Sequence, residues 1–237
     1  KADAEEFVEM LHRHMSDWVV LDHYELGWEW ESIVKPVTKR LLVIDDLHNR
    51  KHQCDVFLDQ NSLGTSTDWF TERTSISTHL LLGPRFALLD KYFSKTRYKT
   101  KRKRDTIYRV CIFGGGSDQK NLVGKTLSAL QGTSTPLQVD VVLGRNSQPK
   151  ELESSSNPNL AVRFHNPGDH FYELLAKSDF AIGAGGVTNW ERICLGLPSI
   201  VISVADNQLE ICKSISDAGF IKYLGPIDRK STRLNSS

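Results

Sequence analysis

Short apolar runs recur along the chain, each closed by small or polar residues and followed by a stretch with helical spacing. Phe7, Val8, Leu11 and Met15 share one face of a helix predicted over 4–15. Residues 18–21 predict a buried strand, 28–37 a short helix ended by Pro36, and 41–44 and 55–58 two further strands. Another strand and turn are predicted over 80–89. Beyond a polar gap, strands are predicted at 108–113, 139–143, 160–164, 180–184, 198–204 and 220–224. Between them fall helices ending near Leu130, over 168–177, from Val187, and from Asp206 with Leu209, Cys212 and Ile215 on one face. Continuous apolar strands alternating with helices predict an α/β fold with parallel sheets. The expected organisation is a first Rossmann-like domain at 1–90, a linker at 91–106, a second such domain at 107–226, and a disordered or foreign tail at 227–237. Ligands are expected in the crevice between the two domains.

The stretch 180–203 carries the sharpest chemistry. An apolar strand ends in Gly183-Ala184-Gly185-Gly186, a helix starts at Val187-Thr188-Asn189-Trp190-Glu191, and a second apolar strand follows Gly196. Such a corner brings bare N–H groups and the positive end of a helix against an anion, typically a phosphate. Glu191, one turn in, is placed to accept hydrogen bonds from ribose hydroxyls. The same letters Thr188-x-x-Glu191 also spell a capping box, in which both residues only close the helix start. A second corner, Gly114-Gly115-Gly116-Ser117-Asp118, follows the 108–113 strand, with Ser117 or Asp118 as the expected N-cap. In the first half, three strands end in polar triplets: Asp22-His23-Tyr24, Asp45-Asp46-Leu47 and Asp59-Gln60-Asn61. Polar ends at the carboxyl edge of parallel strands sit where open α/β sheets bind ligands. Turn formation and helix capping are the alternative use of those residues.

Composition narrows the partners. Thirty Lys and Arg nearly balance 29 Asp and Glu, so no strong field points to nucleic acid or to a membrane. The eight basic residues of 91–106 read as a solvated linker. The four cysteines are scattered, with Cys111 and Cys194 in apolar patterns as small core hydrophobes, which fits a reducing cytoplasm. No apolar run approaches about 18 residues, so no membrane insertion is expected.

Five stretches taken together resemble a known family. They are LVIDDLHNRKHQCDVFLDQN at 42–61, LLGPRFALL at 81–89, FGGGSDQKNL at 113–122, GAGGVTNWERICLGLPSIVI at 183–202 and ADNQ at 205–208. The family is the UDP-2,4-diacetamido-2,4,6-trideoxy-β-L-altropyranose hydrolases of pseudaminic acid biosynthesis (PseG), similar in fold to the two-domain GT-B glycosyltransferases of MurG type. The resemblance implies a bacterial hydrolase that releases UDP from a UDP-activated deoxy sugar with water as acceptor and no metal or cofactor. Its partners would be the UDP-sugar substrate and the UDP product. It assigns the diphosphate to Gly115, Gly116, Ser117, Gly185, Gly186, Val187 and Thr188, the ribose to Glu191, and the sugar or its phosphate to Asn207 and Gln208. The family also carries a Gly-x-Gly-His-x-x-Arg loop with a catalytic His, which has no counterpart here. The resemblance therefore implies a fragment with an incomplete first domain and no turnover of its own, Asp22, His23 and Tyr24 being supporting candidates at the cleft. A GT-B glycosyltransferase and a non-catalytic nucleotide-sugar binding module are the two alternatives.

Overall fold

The computed structural model describes residues 1–14, 16–97, 107–145, 157–166, 168 and 170–228. Met15, the stretch 98–106 of the expected linker, and 229–237 of the expected tail lie outside the described residues. The chain divides into two units, Lys1–Leu88 and Leu89–Ser237.

The first unit is a four-stranded parallel sheet in the order β1-β2-β3-β4, built from Trp18–Asp22, Arg40–Ile44, Val56–Asp59 and His79–Leu82. Helices α1 (Ala2–Arg13) and α2 (Trp28–Val34) place Ala4, Phe7, Trp30 and Val34 against Val19, Leu21, Leu41 and Val43. A short helix α3 (Thr67–Thr71) adds Phe70. The 18–21 run is not buried on both sides as its apolar letters predict. Trp18 and Val20 are about half exposed while Val19 and Leu21 are buried. β1 is an edge strand, and α1 and α2 pack on its Val19 and Leu21 face.

The second unit opens with helix α4 (Lys91–Arg97). This is a correction to the linker reading of 91–106: α4 buries Phe93 against Leu175 and Leu195, because Tyr92 and Phe93 interrupt the charge run with an apolar face. Tyr92 stacks on Tyr172 at 5.0 Å between ring centroids. The sheet then alternates strands and helices: β5 (Arg109–Phe113), α5 (Leu122–Leu130), β6 (Leu137–Val142), β7 (Leu160–His165), α6 (Phe171–Lys177), β8 (Phe180–Ala184), α7 (Thr188–Cys194), β9 (Ser199–Ser203), α8 (Leu209–Asp217) and β10 (Lys222–Pro226). All pairings are parallel, in the order β10-β9-β8-β5-β6-β7. One core packs Val110, Ile112, Val139 and Val141 under Val123 and Leu127 of α5. The other face holds Cys111, Val142, Ala181 and Leu197 with α4 and α6.

That strand order reverses between β5 and β8, whose register pairs Phe113 with Gly183. In doubly wound sheets the ligand crevice opens beyond the carboxyl ends of the strands at such a reversal. Both glycine corners leave the sheet at this point, one from each strand.

Candidate functional site

β5 runs through Phe113 into Gly114 and Gly115, where the chain turns with Gly115 at φ 96°. A side chain at that φ is strained, so the turn needs glycine here. A Cβ on Gly114 would collide with the Asp118 carboxylate, which folds back over the corner. Asp118 accepts from the N–H groups of Leu122 (2.7 Å) and Val123 (3.2 Å), and Asn121 Oδ1 from that of Gly124 (3.1 Å). The N-cap of α5 is Asn121, in the left-handed region, not Ser117 or Asp118 as the sequence suggested. The start of α5 is thereby satisfied by its own side chains, and the free donors of this corner lie upstream of it. Among the described residues the N–H groups of Gly115, Gly116 and Ser117 have no acceptor.

The second corner is built differently. Gly185 donates to Ile202 O (3.1 Å) and continues the β8–β9 ladder, and a Cβ there would strike Cys212 Sγ. Its glycine is required by packing, and its N–H is already spent. The next three N–H groups, of Gly186, Val187 and Thr188, have no acceptor among the described residues. Val187 is the N-cap of α7 and makes no side-chain cap bond, so the Thr188-x-x-Glu191 capping box does not form. Thr188 Oγ1 reaches back to Ala184 O instead, at 3.5 Å.

The two corners share one cavity of about 400 Å³. Gly115, Gly116, Ser117, Gly186, Val187, Thr188 and Gln208 line it, together with Lys120, Val204 and Ala205. Gln208 is held by its Oε1, which accepts from Val204 N at 2.9 Å. Its Nε2 lies on the Gly186 side, 3.9 Å from the point a Cβ on Gly186 would occupy. Gly185, Glu191 and Asn207 do not line the cavity; Asn207 is exposed in a short 3-10 turn, Asp206–Gln208, that precedes α8. Two runs of three amides without acceptors around one concavity supply the donor geometry that anion-binding nests use. Lys120, whose Nζ pairs with Asp228 at 2.6 Å, adds a cation at the rim. Sequence reasoning passed over Lys120, although a lysine four residues past a glycine corner is a readable signal.

Glu191 is mostly buried on α7, and its Oε2 has no hydrogen-bond partner among the described residues. Burial pushes its carboxyl up to about 7, with Arg192 pulling the other way. Behind the corner, Arg192 and Asn189 are buried, and Arg192 Nη2 donates to Ala184 O at 2.9 Å and to Asn189 Oδ1 at 2.6 Å. Burial pushes the Cys111 thiol up to about 12, as expected of a cysteine that serves the core.

In the first unit the three polar triplets are tied into one cluster. Arg50 donates to the carbonyls of His23 (3.0 Å) and Tyr24 and pairs with Asp45 at 3.0 Å. Asn61 Nδ2 donates to Asp46 (2.6 Å), and His48 meets Asp59 at 2.5 Å. Asp22, His23 and Tyr24 themselves are exposed, and His23 Nδ1 accepts from Glu25 N at 3.1 Å. His48, Arg50 and His52 bind the cluster together, and their letters alone carry no sign of it. Among the described residues no group of three or more His, Cys, Asp or Glu is placed to hold a metal ion. No helix among them is long and apolar enough to cross a membrane.

No protein-family model matches the chain. It is 26% identical over 163 residues to the spore coat polysaccharide biosynthesis protein SpsG of Bacillus subtilis (63% of this chain, 44% of SpsG). It is 24% identical over 155 residues to the UDP-2,4-diacetamido-2,4,6-trideoxy-β-L-altropyranose hydrolase of Campylobacter jejuni (65% of this chain, 50% of the hydrolase). A further relative, the uncharacterized protein MJ1062 of Methanocaldococcus jannaschii, is 23% identical over 203 residues (82% of this chain, 42% of MJ1062). The chain thus spans about half the length of the curated relatives it matches. Among solved structures it superposes on Acinetobacter baumannii MurG with a TM-score of 0.62 at 15% identity, over 94% of this chain and 63% of MurG. The fold is of the GT-B type. Its two parallel α/β sheets are the ones expected from the alternation of strands and helices.

Proposed function

We propose that the second unit binds the diphosphate of a UDP-activated sugar in the cavity between the glycine corners. The chain is, on this reading, part of a hydrolase that releases UDP from a 2,4-diacetamido-2,4,6-trideoxy sugar, with water as acceptor. The observation that carries the reading is the double run of unpartnered amides, 115–117 and 186–188, lining a single cavity at the sheet's reversal point. A diphosphate offers one anionic group to each run, and Lys120 and Gln208 border the same space. Amides fixed by the sheet stabilise a departing diphosphate without protonation or reorganisation. Glu191 and Asn207 lie outside the diphosphate cavity, so on this reading the ribose extends beyond it to the unpartnered Glu191 Oε2 and the sugar toward the exposed Asn207. The hydrolase step draws its support from the Campylobacter relative, and the SpsG relative is named for polysaccharide biosynthesis.

A second reading, a GT-B glycosyltransferase with a UDP-sugar donor and an alcohol acceptor, is favoured by the superposition on MurG. Both readings place UDP in the same cavity and differ in what attacks the sugar carbon.

Calorimetry with UDP tests the shared part. UDP binds the purified chain, and Glu191→Ala weakens it substantially; absence of UDP binding refutes both readings. The purified protein, assayed with a UDP-sugar in water and then with added alcohol acceptors, separates hydrolysis from transfer. UDP release that requires an acceptor removes the hydrolase.

A further inference from the structure

Arg192 is 2% exposed, and among the described residues no carboxylate forms an ion pair with it. Its Nη2 is held by two neutral oxygens, Ala184 O and Asn189 Oδ1, and its Nε has no hydrogen-bond partner among the described residues. The neighbouring Glu191 carboxyl makes no ion pair with it and is itself held back from ionising by burial. A guanidinium removed from water and left among neutral acceptors is costly, and a fold keeps such a group where something offsets it.

Its place in the fold says what does. Arg192 Nη1 and Phe113 O both lie 2.6 Å from the point where a Cβ on Gly183 would sit. Gly183 therefore leaves the gap that the guanidinium occupies, between the last paired residues of β5 and β8. Those residues lead directly into the two glycine corners, and both Phe113 and Ala184 line the cavity.

The geometry points to Arg192 as a buried countercharge for the anion in that cavity, and as the strut that fixes Ala184 at the root of the second corner. This inference rests on the nucleotide-sugar reading and deepens it: the site selects ligands by phosphate charge, through a cation that lines no part of the cavity. Water does not screen a charge beneath the floor as it screens Lys120 at the rim, so its pull on an incoming anion persists. A neutral nucleoside feels none of it. Arg192 is thus a positioning residue, and charge selectivity is the readout that a merely structural role would not move.

The test compares the chain with Arg192→Met, which keeps length and removes charge, and with Arg192→Lys, which keeps charge. Calorimetry is run with inorganic pyrophosphate, UDP and uridine, and unliganded melting is followed by circular dichroism. Arg192→Met is expected to lose at least about tenfold in pyrophosphate and UDP affinity, with uridine changing by less than about twofold. The melting curve establishes that the variant is folded before its affinities are compared, because Ala184 O and Asn189 Oδ1 lose their donor. Unchanged UDP affinity in folded Arg192→Met overturns the proposal, as does an equal loss for uridine and UDP. If Arg192→Met does not fold, Arg192→Lys decides: pyrophosphate affinity within about threefold of the parent supports the countercharge, and a loss of about tenfold overturns it. A parent chain that binds neither pyrophosphate nor UDP removes the reading of the site itself, an outcome distinct from failure of the Arg192 variants alone.

Discussion

Gly144 does not itself line the cavity, yet it offers a sharp test of the site. It follows β6, and a Cβ placed on it would lie 2.6 Å from Gly116 O and 2.8 Å from Gly115 O. Both are backbone atoms, so no side chain can swing away to make room. Arg145 N also donates to Gly116 O at 2.7 Å, which ties this segment to the first corner. Ordinary contact begins at 3.4 Å, so Gly144→Ala must displace the 115–116 backbone by about 0.6–0.8 Å (3.4 − 2.8 and 3.4 − 2.6). An amide that donates to phosphate at about 2.9 Å is then carried to roughly 3.5–3.7 Å, beyond useful range. A hydrogen bond to a charged group contributes about 1.5–3 kcal/mol, so losing one weakens UDP about 10- to 100-fold. Overpacking also costs about 1–3 kcal/mol of stability, so binding is measured by calorimetry only after circular dichroism confirms a folded variant. Gly132→Ala is the control, because a Cβ there meets nothing within 4 Å. A folded Gly144→Ala that binds UDP as tightly as the parent would falsify the assignment of 115–117 to the diphosphate.

Two further outcomes concern titration and the first unit. Glu191 has its folded carboxyl near 7 against a reference of 4.5. The folded state therefore keeps a proton that the unfolded state has lost, and stability falls as pH rises from about 4.5 through 7, by about 3 kcal/mol in full. Glu191→Gln flattens that slope in denaturant melts at pH 5 and 8; an unaltered slope counts against the buried carboxyl as its source. His52 lies buried between Glu31 (2.7 Å) and Asp45 (2.9 Å). Burial pulls its pKa down, but the bonds to the two carboxylates outweigh it and the net shift is upward. Its contribution is full below about 6.5 and is lost as pH rises through the raised folded pKa. His52→Leu leaves buried Glu31 without an ion pair and Asp45 with Arg50 alone, and costs about 3–5 kcal/mol; a melting curve that stays put would remove His52 as the tie of that cluster.

Much of this was legible in the chain. Apolar runs separated by helical spacing determine α/β architecture, because parallel strands covered by helices read as unbroken hydrophobic stretches. The strands at 108–113 and 180–184 and the two glycine corners were all visible as letters. What the letters left open was how each corner is used. Gly115 answers to a positive φ, whereas Gly185 answers to Cys212 and spends its N–H on Ile202. Asp118 caps α5 from outside, so the free donors are the loop amides and not those of the helix start. Arg192 and Gly144 read as ordinary residues in the sequence, since their roles depend on the space beside Gly183 and on the approach to Gly116, which local pattern does not show. Only the tertiary structure put β5 beside β8. Local pattern specifies that a strand forms and which residues end it, but strand order is settled by crossovers and core packing across many residues, and it is that order which turns two separate glycine corners into one cavity.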